Sequence, residues 1–436
     1  MTVQRQIGFW TAVSLVMGNM IGSGVFLLPA SLAPFGGLSL VGWLISAGGS
    51  IMLALVFARL ARLNPAAGGP YAFTRAAFGD LAGFLVGWGY WISVWCANGA
   101  LAVALVGYLD PFVPSLVRHR PTAALLAIGF VWLLTAVNIA GIRRAGRVQV
   151  VTTTLKILPL VLVGVGGLMW LEPSHFAVPP PEVRASTGGV LAVVTLTLWA
   201  FLGLESGTVP ASATANPERT IPRATIAGTS IAAALYIGST AGVMGLIPPD
   251  VLASTTAPFA EAARVLAGDG AALAVAAGAA ISCFGALNGW ILIVGQLPMA
   301  IANDGLFPRL FSRLSRYGTP APAMIVGGLL TTTLIAFNAS SELVALFTKM
   351  ILLSTLSTLV PYTFCSLAGF LMPARGSSPG AMSRGAAVIA ALAFLYAVVA
   401  IGGAGQEVVY LGFLLLIGGL PVYVWVTRRR RLAAAP

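Results

Sequence analysis

The sequence predicts an all-α polytopic membrane protein of twelve transmembrane helices, arranged as a five-plus-five inverted repeat with discontinuous helices 1 and 6. Three observations predict it. Hydrophobic residues make up 58% of the 436 and charged residues only 8%, whereas a soluble domain carries about 25% charged residues. Apolar runs long enough to cross a hydrocarbon core of about 30 Å recur along the whole chain. Two of those runs carry glycine, serine and proline where a continuous helix would avoid them.

The runs fall at about 8 to 33, 38 to 60, 81 to 108, 122 to 140, 149 to 170, 189 to 211, 224 to 247, 271 to 300, 320 to 338, 343 to 372, 385 to 404 and 408 to 427. Their even number puts both termini on one side of the membrane. Most of the 24 Lys and Arg residues lie in alternate loops, from Arg5 through Arg143 and Arg147 to the closing run Arg428 to Arg431. By the positive-inside rule that side, with both termini, is cytoplasmic. The net charge of +12 then reports topology and contact with the lipid bilayer; no nucleic acid partner is called for.

One transporter domain is expected over residues 1 to 436, with repeat one at about 8 to 170, repeat two at about 189 to 372, and two further helices at about 385 to 427. The first run is too long for a cleavable signal peptide and lacks a small-residue cleavage site. A bacterial inner membrane fits this loop-poor, arginine-rich chain. Residues 250 to 269 read as a short amphipathic external helix, a brace or a lid, with Phe259, Ala262, Ala263, Val265 and Leu266 set against Glu261 and Arg264. Val178-Pro179-Pro180-Pro181 reads as a stiff external connector. Cys96, Cys283 and Cys365 lie in apolar runs without the paired spacing of a disulfide or metal site. The two histidines, His119 and His175, fall in expected external loops, and no metal-protease or paired-aspartate pattern supports an enzyme. The pattern calls for no cofactor and no metal.

The first break is "NMIGSGVFLLPA", Asn19 to Ala30; the second is "WAFLGLESG", Trp199 to Gly207, followed by Pro210. Each opens a block of five spans, as in transporters built from inverted repeats. Unwound backbone at bilayer depth is tolerated only where it is buried in protein or lines a cavity. A packing notch between helices would explain one such break; two in corresponding positions favour a cavity. There the amides of Gly22, Ser23 and Gly24 would present the positive end of a half-helix to a carboxylate, and the carbonyls of Met20, Ile21, Trp199 and Leu202 would face an ammonium. The chemistry suits a zwitterionic amino-acid head group. Glu205, a carboxylate in an apolar run, marks a substrate or proton pathway, or else a buried hydrogen-bonded staple. Tyr90, Trp91, Trp95, Asn98, Trp290 and Tyr362 add aromatic and amide groups at mid-span.

The stretches "GNMIGSGVFLLPASLA", "GGPYAFTRAAFG", "YWISVWCANGA", "TLWAFLGLESG", "NPERTIPRATI", "GWILIVGQ", "DGLFP" and "LVPY" together resemble the amino acid, polyamine and organocation superfamily of LeuT-type transporters. Within it the chain is most similar to the basic amino acid/polyamine antiporters of the arginine/agmatine branch. The resemblance implies that Ser23 and Gly24 hold a substrate carboxylate, and that carbonyls at Ile21, Trp199 and Leu202 hold its amino group. It implies a side chain lying on Trp290, its far end near Ser93, Val94, Asn98 and Ser354. It also implies gates at Tyr90, Trp199, Glu205 and Tyr362, a pH response through Tyr71, and a homodimer. The partner would be a small amino acid or polyamine, exchanged one for one by alternating access. Lys156, in "TLKILP", departs from the branch. In proton-coupled permeases and in several neutral-amino-acid exchangers that resemble this chain, a lysine here replaces a sodium ion. Lys156 is therefore either an ion mimic or proton site, pointing to neutral amino acids, or a structural tether.

Overall fold

The computed structural model describes residues 6 to 434 except 118, 178 to 188, 256, 338 to 342, 373 to 381 and 404 to 405. The expected connector at 178 to 181 lies outside the described residues. Helices account for the described architecture, with a single isolated bridge between Ile7 and Thr214. Eight described helices are long and apolar enough to cross a membrane. Shorter apolar helices occupy expected spans six, nine and ten.

Span one is two helices, α1 (Phe9–Met20) and α2 (Gly24–Leu32), separated by three non-helical residues. Span two is α3 (Leu38–Leu63) and span three is α5 (Asp80–Gly107), with the short helix α4 (Pro70–Phe78) between them. Spans four and five are α6 (Arg120–Ile139) and α7 (Ile142–Met169). Span six starts as α8 (Gly189–Trp199) and does not resume as an α-helix: the backbone continues through turns and the brief 3-10 segments Ser206–Thr208 and Ala211–Ala213. The expected span to residue 211 is thus half helix. Gly203, at φ 109°, and Pro210 are incompatible with a regular helix through this stretch.

Span seven is α9 (Pro217–Leu246). Span eight belongs to α10 (Pro258–Asn303), which bends sharply at Ala267 and Gly268. Its first part is the expected amphipathic external helix. Phe259, Ala262 and Ala263 are buried, while Arg264 pairs with Glu261 at 2.6 Å and Asp269 at 3.0 Å on the outside. Val265, expected on the apolar face, is exposed. The Phe259 ring packs edge-on to Phe26 of α2, centroids 5.2 Å apart, which ties this helix to the second half of span one. Spans nine to eleven are α11 (Ala321–Phe337), α12 (Leu343–Leu371) and α13 (Arg384–Gly403). Span twelve is split at Gly418 and Gly419 into α14 (Gln406–Ile417) and α15 (Leu420–Ala434).

Buried apolar side chains form two large clusters. One gathers α1, α2, α3, α8 and α9; the other gathers α5, α6, α10 and α11. Leu125, Leu162 and Leu395 stand exposed on long apolar helices, as a lipid-facing surface requires. Both breaks lie inside the protein: Ile21, Ser23, Leu204 and Glu205 are all buried.

Candidate functional site

Both breaks leave main-chain groups in the interior, where an unpaired N–H or C=O costs about 1 to 3 kcal/mol. The first is fastened from outside itself. Lys156 of α7, fully buried, donates through Nζ to Gly18 O at 2.7 Å and Ile21 O at 2.5 Å. Ser282 of α10 donates to Ile21 O at 3.0 Å, with Gly22 O at 3.3 Å. Both lone pairs of the Ile21 carbonyl are thereby used, so this expected ligand group is already occupied.

The second break is fastened by its own carboxylate. Tyr90 OH of α5 donates to Glu205 Oε1 at 2.5 Å, and Tyr362 OH of α12 donates to Glu205 Oε2. The Tyr362 oxygen in turn accepts from Gly203 N–H at 3.3 Å. All three side chains are buried. One glutamate therefore joins span six to spans three and ten.

Between the breaks lies a cavity. Gly22, Ser23 and Gly24 line it on one side, and Trp199, Ala200 and Leu202 on the other. The carbonyls one turn before Ser23 and Gly24 are taken, Asn19 O by Trp290 Nε1–H and Met20 O by Gly22 N–H at 2.9 Å. The expected Gly22 amide and Met20 carbonyl are thus spent on each other, while the Ser23 and Gly24 amides remain available to an anionic group. A Cβ at Gly24 would stand 2.7 Å from Trp199 Nε1, so only glycine lets the indole approach the half-helix this closely. Ser93 and Ala97 bring α5 to the wall, and Ser354 and Thr358 bring α12. Trp290 of α10 completes it, its Nε1–H bonded to Asn19 O at 3.2 Å, which fixes the ring.

The hydroxyls at this end share a direction. Ser354 donates to Ser93 O at 3.0 Å, Ser93 to Tyr90 O at 2.8 Å and Thr358 to Ser354 O at 3.0 Å. With each proton on a main-chain carbonyl, the oxygens have only lone pairs left to offer. Among the described residues no Asp or Glu lines the cavity. The wall is neutral, aromatic and accepting.

Of the residues expected from sequence, the cavity gathers Ser23, Gly24, Ser93, Trp199, Leu202, Trp290 and Ser354. Val94 and Asn98 sit one residue further around α5, about 100° off the lining face. Asn98 is buried, and its Oδ1 has no protein partner. Tyr90, Glu205 and Tyr362 form a plug behind the second break, and Lys156 stands behind the first. Tyr71 is remote from the cavity, in α4, and donates to Asp304 Oδ2 at 2.8 Å. Arg75 bridges Asp304 and Asp80 at 2.8 and 2.7 Å. Burial, and then the bond to Asp304, push the Tyr71 phenol well above its ordinary range. Sequence reasoning missed Asn19, Ser282 and Thr358. Asn19 opens the quoted motif, and Thr358 follows Ser354 by one helical turn, so both had a signal; Ser282 had none.

The model of the amino acid permease family matches residues 7 to 420. The chain belongs to the amino acid permease family. This permease is 34% identical over 373 residues to the cadaverine/lysine antiporter of Escherichia coli (strain K12), covering 84% of this chain and 83% of that protein. It is 33% identical over 462 residues to a Bacillus subtilis (strain 168) protein provisionally named an arginine/ornithine antiporter, covering 98% of each. To the putrescine transporter PotE of Escherichia coli (strain K12) it is 30% identical over 429 residues, again covering 98% of each. The family is one of amino acid permeases, and these bacterial relatives are named as carriers of amino acids or polyamines. The permease is accordingly a multi-pass membrane protein of the twelve-helix, LeuT-type architecture.

Proposed function

We propose that the permease is an antiporter exchanging a cationic amino acid for its decarboxylated amine by alternating access, with arginine and agmatine as the pair to test first. The observation that carries this reading is the cavity between the two breaks. Its free amides at Ser23 and Gly24 suit a carboxylate, and its accepting wall at Ser93, Ser354 and Thr358 suits an N–H-bearing far end. Trp290 gives that end or its aliphatic stem an aromatic face. The relatives' names support the class, since each pairs or carries basic amino acids or diamines. A decarboxylated amine lacks the carboxylate but keeps both nitrogen-bearing ends, so the accepting wall at Ser93, Ser354 and Thr358 still suits it.

A second reading rests on Lys156. Its ammonium holds Gly18 O and Ile21 O, as a bound cation would. On that reading the permease is a proton-coupled or exchanging carrier of neutral amino acids, and both its topology, with termini in the cytoplasm, and its gates at Tyr90, Glu205 and Tyr362 are shared with the first. Uptake of labelled arginine and, in parallel, of labelled leucine into vesicles preloaded with agmatine, arginine, lysine, cadaverine, leucine or nothing separates the two. Uptake confined to cationic loads supports exchange. Leucine-driven uptake, or uptake into empty vesicles under a pH gradient, overturns it in favour of the second reading.

A further inference from the structure

A seam leads from the candidate cavity toward the N-terminal side of the protein, between α1, α7 and α10. Its far end is a second, small pocket with room for about one water molecule. Thr11 and Leu15 of α1 line it, four residues apart on one helix face, with Gln149 of α7 and Asn288, Gly289 and Leu292 of α10. Asn19 joins the two cavities. It lines the larger one, and it lies so close to Gly289 that a Cβ there would stand 1.9 Å from Asn19 Oδ1. The Asn19 side chain is buried at 4% exposure, and neither its oxygen nor its nitrogen has a protein partner. A polar group left open on a buried route is one that a passing polar ligand would satisfy.

Side-chain amides close the seam. Gln149 Nε2 and Thr153 Oγ1 both donate to Ser14 O of α1, each at 3.2 Å. Gln149 Oε1 accepts from Asn288 Nδ2 at 3.0 Å, and Asn288 Oδ1 accepts from Asn138 Nδ2 at 3.1 Å. Asn288 is also anchored to Ala145 O at 3.0 Å. The relay thus crosses spans four, eight, five and one. It is rooted in three spans and touches α1 at a single carbonyl. The helical ladder of α1 stops at Ile21, whose ψ of 85° leaves the helical range, so α1 has a hinge at its far end.

We infer that the relay Asn138, Asn288 and Gln149, with Thr153, is a latch that holds α1 shut over a passage to the N-terminal side. Substrate passes Asn19 and Gly289 when the latch releases. Gly289 lets Asn19 and Gln149 pack directly against α10 in the closed state, because any side chain there would collide with Asn19. The inference rests on the alternating-access reading proposed above, and its test is independent of the substrate.

The test uses the full chain with Cys96→Ala, Cys283→Ala and Cys365→Ala, carrying Leu292→Cys as the single thiol and reconstituted into vesicles. A membrane-impermeant maleimide is applied from one side or the other. Gln149→Leu is expected to speed labelling from the N-terminal side by about tenfold, equivalent to about 1.4 kcal/mol in the opening equilibrium. Thr153→Val, which keeps side-chain size and leaves the relay intact, is expected to speed it by about threefold. It preserves the test if Gln149→Leu does not fold. With Ala97→Cys in the larger cavity as the single thiol instead, Gln149→Leu is expected to slow labelling from the opposite side. Unchanged rates at position 292 overturn the latch. Faster labelling from both sides also overturns it, since that marks loosened packing. If cationic exchange fails while directional labelling holds, the substrate assignment falls and the latch stands.

Discussion

At the first break a lysine reaches in from another span, whereas at the second a glutamate reaches out to two others. The first break is three residues long and resumes as α2, so its need is for donors to the carbonyls at the end of α1. Lys156, with three protons, and Ser282 supply them. The second break does not resume as an α-helix. Its turns satisfy several of their own main-chain groups, among them Ser206 N–H on Gly203 O and Thr208 N–H on Glu205 O. What remains is to hold the segment in place, and the two oxygens of Glu205 do so through Tyr90 and Tyr362. The lesson is that the breaks correspond in sequence position but differ in attachment. The first is tied mainly to α7 through one side chain, and the second to both α5 and α12.

That asymmetry predicts unequal sensitivity. Glu205→Ala strands two buried phenols at once, and hydrogen bonds to a charged group are worth about 1.5 to 3 kcal/mol each. Exchange in reconstituted vesicles is expected to fall by about a hundredfold or more. Exchange near the parent rate would mean that the plug plays no part in transport. Lys156→Met removes the donors from the first break and is expected to slow exchange by about tenfold and lower the thermal midpoint. If the mutant keeps its rate and loses only its pH dependence, Lys156 carries a proton and the neutral-amino-acid reading gains.

Smaller effects sharpen the picture inside the cavity. Trp290→Leu is expected to raise KM for arginine by about tenfold, alongside a fall in thermal midpoint from leaving Asn19 O unpaired. A purely structural Trp290 would move the midpoint and spare KM. Gly24→Ala forces Trp199 off the half-helix and is expected to weaken binding by a few-fold, measured by calorimetry with arginine.

The smallest effect belongs to Tyr71→Phe. Because burial and Asp304 raise its phenol above the ordinary range, Tyr71 stays a neutral donor between about pH 5 and 8. Its contribution to stability is fully present below about pH 10 and is lost above it, as the unfolded phenol ionises. The shape of the exchange profile between about pH 5 and 8 is therefore expected to survive the substitution. A flattened profile would show that Tyr71 itself titrates there.

Much of the fold was legible because a bilayer leaves few choices. Spans had to be apolar and about 20 residues long, and Gly-Ser-Gly or Gly-Leu-Glu-Ser-Gly inside such a run had to be a break with a cavity beside it. Seven of the expected binding residues meet at the cavity wall, since the two breaks fix its place along each helix. Rotation about the helix axis was less legible. Asn98 and Ser93 look equally mid-span in the sequence, yet packing of α5 turns Ser93 to the cavity and Asn98 away.

By itself, then, the sequence determined the membrane class, the positions of the two breaks and the presence of Lys156 and Glu205 in apolar runs. Local composition decides such things, because lipid tolerates neither open backbone nor lone charge. Only the tertiary structure decided that Lys156 occupies the carbonyl expected to hold substrate, that span six stays unwound, and that Gln149 and Asn288 meet over Ser14. Each of these depends on which residues, distant in the chain, arrive within about 3 Å of one another, and a hydrogen bond exists only at that range.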